Sequence, residues 1–372
     1  MPKGKSTYFR FKFSLTINIW CVSFILLYAT PIKDCCKKRR KNMRNLVRAL
    51  VLVMLVLLVL STTVLAQDKF EIVMVAKHEG ISWFDDMRTG VEEFGKDHED
   101  VTSYQIAPEG GDPAKQVQMV EDLIAKGVDA ILVVPNDPKS MIPVIKKAKD
   151  AGIIVISHEA EELKGIVDYD MEAFRNEDFG VLMFESLARE MNYEGEYVGM
   201  VGALTMQTHM QWFQAGHDYA AEKYPNMKFI LQEPVEDFNT EQTAYNKARE
   251  LLRTYPNIKG MFGCSASSTI MQAQAVEERG LQEQVAVVGL TLPSMSKTYL
   301  ESGSLRQAQC WRPADAGYVC AMIAYKVLKG EPLETGISLG KEGYESVTVE
   351  DGIIYGNAPL VLTKENVNDF PF

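Results

Sequence analysis

From Phe70 onward, short apolar runs alternate with amphipathic stretches, and this alternation restricts the fold more than any other feature of the chain. The runs "FEIVMVA" (70–76), "TSYQIA" (102–107), "DAILVV" (129–134), "IIVIS" (153–157) and "GIVDY" (165–169) read as strands. Between them Met87, Val91 and Phe94, then Val117, Val120 and Ile124, recur at helical spacing. Such a pattern implies parallel sheets wrapped by helices, and a strand buried on both faces shows no polar alternation, as in Ile153 to Ile156. Ser82-Trp83-Phe84-Asp85 fits a capping box opening the first helix. After Asp170 the pattern restarts with "YVGMVG" (197–202), "KFILQ" (228–232), "KGMFG" (259–263), "VAVVGL" (285–290) and "LRQAQCW" (305–311). Two α/β lobes with doubly wound parallel sheets are therefore expected. A last helix (314–330) follows Pro313, which suits a first helical turn, and a hairpin-like tail ends at "APLVLTKENVNDFPF". No low-complexity linker separates the halves, so short crossings are expected to join them.

Charge is unevenly spread along the 372 residues. Residues 1–66 hold twelve Lys and Arg against one acid, so within a whole-chain charge of −11 the rest carries −22. An acidic body of this kind repels phosphate backbones and anionic lipid heads, which argues against nucleic-acid and membrane-surface partners. Within the basic leader, Arg44 and Arg48 precede an apolar core (49–60) and then Val64-Leu65-Ala66. This reads as a secretory signal (43–66) cleaved after Ala66, since the core is short for a membrane span and ends on small residues. The upstream apolar stretch "FSLTINIWCVSFILLYA" (13–29) is either a further membrane segment or, as the complete signal from Met43 favours, part of a misassigned start covering 1–42. Export permits disulfides, yet only Cys264, Cys310 and Cys320 follow the signal, and buried free thiols are expected.

Several chemistries are disfavoured by missing parts. No G-x-G-x-x-G follows the first strand, "GDPAKQ" lacks phosphate-loop spacing, and "HEAEE" (158–162) lacks the second histidine of a zinc-protease motif. "DYDME" (168–172) begins like a calcium loop but has Ala173 where the turn needs glycine, and it reads as a solvated turn. "GCSAS" (263–267) nearly spells a nucleophile elbow, but all five histidines precede Ser265, the wrong order for a hydrolase of that type. No cofactor and no metal site are expected.

What remains is a set of strand ends. Ligands of open parallel sheets sit beyond the carboxyl ends of the strands. Here those positions hold Lys77 and His78, with Trp83 and Phe84 on the following helix, and then His158 and Glu159. The second half adds Thr208, His209 and Gln211, Cys264, Ser265 and Ala266, Thr291 and Trp311. Hydrogen-bonding groups mixed with flat aromatic faces suit a small polyhydroxylated molecule, and the abrupt change from Ile156 to Ser157-His158-Glu159 fits a strand that ends at a wet cleft.

At this point the chain resembles a known family. The segments 120–159 ("VEDLIAKGVDAILVVPNDPKSMIPVIKKAKDAGIIVISHE"), 255–280, 285–311 and 359–370 are similar to extracytoplasmic sugar-binding proteins of ABC importers. The likeness is to the ribose-binding kind, the type I periplasmic binding proteins, and within them to the branch that binds rhamnose-like sugars and autoinducer 2. The resemblance implies two lobes joined by a three-crossing hinge, with lobe one at 67–170 plus 312–337 and lobe two at 171–311 plus 338–372. It implies roles in the cleft for Lys77, Ala266 and Trp311. His158 stands where relatives have an aspartate, Thr208-His209 replaces an Asp-Gln pair, Cys264 replaces a proline and Thr291 another aspartate. Fewer carboxylate acceptors favour a neutral deoxyhexose such as rhamnose over autoinducer 2. The same resemblance implies a monomer that closes over its sugar and docks on a membrane permease. The enzyme alternative is a secreted hydrolase using Glu159 or Ser265, and a sensor role would share the same ligand site.

Overall fold

The computed structural model describes Leu50 and residues 69–372, so apart from Leu50 the expected leader and signal segments lie outside the described residues. In the first lobe β1 (Phe70–Val75), β2 (Val101–Ile106), β3 (Ala130–Val133), β4 (Ile154–His158) and β5 (Tyr169–Glu172) alternate with α1 (Ser82–Asp97), α2 (Pro113–Lys126) and α3 (Pro138–Asp150). These strands pair in parallel in the order β5-β4-β3-β1-β2, and all four residues of β3 are buried, as expected of a strand covered on both faces. Asp112 opens α2 by accepting from the amides of Ala114 and Lys115, with Pro113 behind it in the first turn, and Gly127 closes it at φ 78°.

The second lobe repeats the plan with α4 (Asn176–Glu190), β6 (Gly195–Val201), α5 (Gln207–Lys223), β7 (Met227–Phe229), β8 (Val235–Glu236) and α6 (Glu241–Thr254). It continues with β9 (Ile258–Gly263), α7 (Ala266–Glu278), β10 (Ala286–Leu290), α8 (Pro293–Ser302) and β11 (Gln307–Cys310). The parallel order is β11-β10-β9-β6-β7, with β8 also on β6. The chain then returns: α9 (Pro313–Lys329) packs on α1 of the first lobe. That contact is backbone-close, since a Cβ on Gly90 would lie 1.7 Å from the Ala314 carbonyl oxygen, and Asp86 caps α9 by accepting from the Ala314 amide.

Four expectations need correction. The tail does not belong wholly to lobe two: β12 (Thr348–Glu350) and β13 (Ile353–Tyr355) extend the first sheet through the β13–β5 pairing, and only β14 (Leu360–Leu362) joins β11. The boundary at 170/171 falls inside β5 rather than between lobes. The capping box at Ser82 is not formed, because Ser82 is already helical and Ile81 occupies the cap without a side-chain bond. Finally, "DYDME" is not a solvated turn and "GIVDY" is not the strand. Gly165 turns at φ 77°, and the strand is Tyr169–Glu172, held between β4 and β13 with Asp170 and Glu172 buried.

Three short crossings link the lobes: β5 to α4, β11 to α9, and β13 to β14. In each sheet successive connections leave in opposite directions at one point, between β1 and β3 in the first and between β6 and β9 in the second, so each offers a crevice at its carboxyl edge. Cys264, Cys310 and Cys320 are buried and unpaired, as expected.

The buried β5 carboxylates set a pH dependence. Burial pushes Asp170 up to about 7 against the Ser157 hydroxyl that donates to it, and pushes Glu172 upward as well, with Asp170 itself adding to that rise. A raised folded-state value favours the protonated form, so this contribution to stability is complete below about pH 4 and is lost as pH rises through about 7. Asp170→Asn should therefore lose less stability than the wild type between pH 4 and pH 8 in denaturant melts; parallel losses would contradict the assignment.

Candidate functional site

The end of β1 is held by buried amides. The Gln116 side-chain nitrogen donates to the carbonyls of Ala76 (3.0 Å) and Val134 (2.8 Å), and its oxygen accepts from the Asn136 amide (2.9 Å). Asn136 Nδ2 in turn donates to the Lys77 carbonyl (2.7 Å). This bracket ties the carboxyl ends of β1 and β3 together and fixes the backbone from which Lys77 projects.

Lys77 forms an ion pair with Glu159, and the two residues are only 3% and 5% exposed. Glu159 follows the last residue of β4 with φ 56°, a left-handed conformation that costs a non-glycine residue and that clusters at functional sites. Burial would raise its carboxyl, but the Lys77 ammonium beside it and the nearby His158 hold it below the ordinary range, so it stays ionised. His209, on the first turn of α5, is pushed down to about 3 by burial and by Lys77 and is neutral. Its Nδ1 accepts from the Gly202 amide (3.1 Å), which leaves the ring proton on Nε2 as a donor.

These groups face a cavity of about 360 Å³, at the small end of the range for ligand pockets of about 300–1,000 Å³. Of the residues expected there, Lys77, His78, Trp83, Phe84 and Glu159 line it from the first lobe. His209, Ser265 and Ala266 line it from the second, and Trp311 from the β11–α9 crossing. Trp311 is the centre of an aromatic cluster, meeting Trp83 (4.7 Å, 78°) from lobe one and Trp212 (5.7 Å, 72°) from lobe two edge to face.

Five expected residues are placed elsewhere. His158 lies under the floor, fully buried, its Nδ1 on the Met171 carbonyl (2.7 Å), and burial lowers its basicity. Cys264 and Thr291 follow β9 and β10 but are fully buried and do not line the cavity. Thr208 donates to the Glu159 carbonyl (2.8 Å), and Gln211 to the Glu161 carboxylate (2.8 Å), so both join one lobe to the other instead of facing the cavity. Ser265 lines the cavity as the cap of α7, in a capping box with Ser268. Its hydroxyl partners are Asp237, Ser267 and Ser268, with no histidine among them, so the serine–histidine pairing of a nucleophile elbow is not formed at Ser265.

Sequence reasoning missed Trp212, Asn239 and Met295, which also line the cavity, and Asp237 just behind them. Asp237 accepts from Ser265 (2.7 Å), Ser267 (3.1 Å) and the Asn239 amide (2.8 Å), and burial pushes it up to about 6. The signal was faint: β8 is two residues long, and the turn after it places Phe238 and Asn239 at φ 54° and 52°. Trp212 was within reach, three residues after His209 on the same helix face.

The buried pair is testable by a cycle. Lys77→Met should cost about 3–5 kcal/mol of stability at neutral pH by leaving the Glu159 carboxylate uncompensated, with Lys77→Met/Glu159→Leu recovering most of it. Denaturant melts of the four proteins check this, and a Lys77→Met variant as stable as the wild type would contradict it.

Comparison with known proteins agrees with this geometry. A family model described as periplasmic binding protein domain matches residues 72–332. The D-ribose/D-allose-binding protein of Pseudomonas aeruginosa is 26% identical over 72% of this chain and 85% of its own length. The D-allose-binding periplasmic protein of Escherichia coli is 24% identical over 71% and 85%. Among solved structures, LsrB of Clostridium saccharobutylicum in complex with AI-2 superposes with a TM-score of 0.75 at 19% identity, covering 81% of this chain and all (100%) of LsrB. An ABC transporter solute binding protein of Clostridium phytofermentas with bound L-rhamnose gives 0.74 at 17% identity, covering 81% and 98%. One of Agrobacterium vitis with bound D-fucose gives 0.70 at 20%, covering 80% and 97%. At these identities the superpositions establish the two-lobed fold, and the relatives are binding proteins, not enzymes. With the family model spanning both lobes and the cavity between them, this chain belongs to the periplasmic binding protein family.

Proposed function

We propose that this protein captures a small neutral sugar between its lobes outside the cytoplasm and delivers it, as a monomer, to an ABC import permease. The cavity wall carries the reading. Lys77 and Glu159 balance each other's charge and His209 is neutral, and the remaining acid on the wall, Glu241, disfavours anions, so the lining offers hydrogen bonds to a neutral ligand. Glu159 accepts from sugar hydroxyls, His209 Nε2 and the Lys77 ammonium donate to them, and the rings of Trp83, Trp212 and Trp311 cover C–H faces. Ala266, Leu290 and Met295 add an apolar wall suited to a methyl group, which favours a deoxyhexose such as rhamnose. L-rhamnose and D-fucose, bound in two of the structural neighbours, are both 6-deoxy sugars, which supports the same class.

The proposed mechanism breaks no bond. The three crossings allow the lobes to part, sugar enters, and contacts from the second lobe stabilise the shut form that the permease reads. Only differential affinity for the two forms makes this work: a sugar bound equally well by both would report nothing.

A thermal-shift screen of the 67–372 unit tests the ligand class. A sugar present at about 100 times its Kd stabilises the fold by about 2.7 kcal/mol, a shift of several degrees. L-rhamnose is expected to raise Tm more than D-ribose or D-allose, and uronic acids are expected to leave it unchanged. Trp311→Ala and Glu159→Ala should each abolish the L-rhamnose shift. A flat response to every neutral sugar, or full retention in both variants, would refute the reading.

A further inference from the structure

Two of the expected ligand residues make direct hydrogen bonds from one lobe to the other. The Thr208 hydroxyl, 1% exposed, donates to the backbone carbonyl of Glu159 at 2.8 Å, and Gln211 Nε2 donates to Glu161 Oε2 at 2.8 Å. Thr208 and Gln211 are three residues apart and so share one face of the first turns of α5; Glu159 and Glu161 lie on the loop after β4. His209 and Trp212, from the same two turns, point the neighbouring face at the cavity. One pair of helical turns in the second lobe therefore presents two faces, one to the cavity and one to the opposite lobe.

We infer that Thr208 and Gln211 are positioning residues that latch the closed form, and that Glu159 couples the latch to the cavity. Glu159 is the shared element: its carboxylate lines the cavity against Lys77, and its carbonyl is the latch acceptor. Its φ of 56° turns the residue so that both groups are engaged at once. A ligand that bonds the Glu159 carboxylate holds this residue in the conformation that presents its carbonyl to Thr208. Parting of the lobes breaks both latch bonds, so the latch acts on escape from the closed form and not on encounter. Thr208 carries more of this than Gln211, since its bond is buried and loss of the hydroxyl leaves a carbonyl without a partner in a dry interface.

The assignment rests on the sugar-binding reading for one arm of its test and is independent of it in the other. In the first arm, stopped-flow tryptophan fluorescence with L-rhamnose, D-fucose, D-ribose and D-allose follows kon and koff for the wild type, Thr208→Val, Thr208→Ser and Gln211→Leu. Thr208→Val is expected to raise koff about three- to tenfold at unchanged kon, with Thr208→Ser restoring the wild-type value and Gln211→Leu giving a smaller rise. A Thr208→Val effect confined to kon, or an unchanged koff, would overturn the latch. In the second arm, with no sugar present, dyes on Lys139→Cys and Gln242→Cys report lobe separation by single-molecule energy transfer. These sites are exposed and lie on α3 and α6. The short-distance population should shrink in Thr208→Val at unchanged Tm and return in Thr208→Ser; identical distributions would overturn the latch even if none of the four sugars binds.

Discussion

The site depends on one buried ion pair. Lys77 and Glu159 come from the ends of two strands separated by β3, and neither is tolerable in a dry cleft without the other. Much of the surrounding structure serves to keep them there: the Gln116–Asn136 bracket beneath Lys77, the left-handed turn at Glu159, and the buried His158 filling the floor. The pair spends its charge internally, so what it offers a ligand is hydrogen bonding rather than attraction for an ion. That is the chemistry a neutral polyol requires.

The aromatic cluster solves a different problem. Trp311 sits where the chain crosses between lobes and touches Trp83 on one side and Trp212 on the other. Phe174, beside the β5–α4 crossing, also packs its ring edge to face with Trp311 (5.3 Å). The hinge and the cavity wall are thus one packed unit. Side chains packed to interior density pass small displacements to their neighbours, so a ligand covering Trp311 acts at the pivot of the lobes.

Much of the fold was legible because buried parallel strands leave an unmistakable apolar run, and the restart after Asp170 showed a second sheet. The site was legible only to the level of strand ends. Being at a strand end does not decide which way a side chain faces: His158 and Glu159 are adjacent, yet one is the floor and the other the wall, because the left-handed turn at Glu159 redirects it. Thr208 and Gln211, expected at a strand end facing the ligand, instead lie on the first turns of α5 and bond to the other lobe, since a helix face adjoining the cavity also meets the opposite lobe. Asp170 and Glu172 read as solvent-facing because acids rarely lie in central strands. Raised carboxyl values and the Ser157 hydroxyl make their burial possible, and composition shows neither. The return of residues 348–355 to the first sheet depends on a long-range pairing with β5 that no local pattern encodes.

Small-angle X-ray scattering during titration with L-rhamnose tests the central claim most directly, because it reads binding and lobe closure in one experiment. The radius of gyration should fall in proportion to occupancy and reach a plateau at a compact value. Saturable binding seen by calorimetry with an unchanged radius of gyration would contradict closure of the two lobes over the sugar.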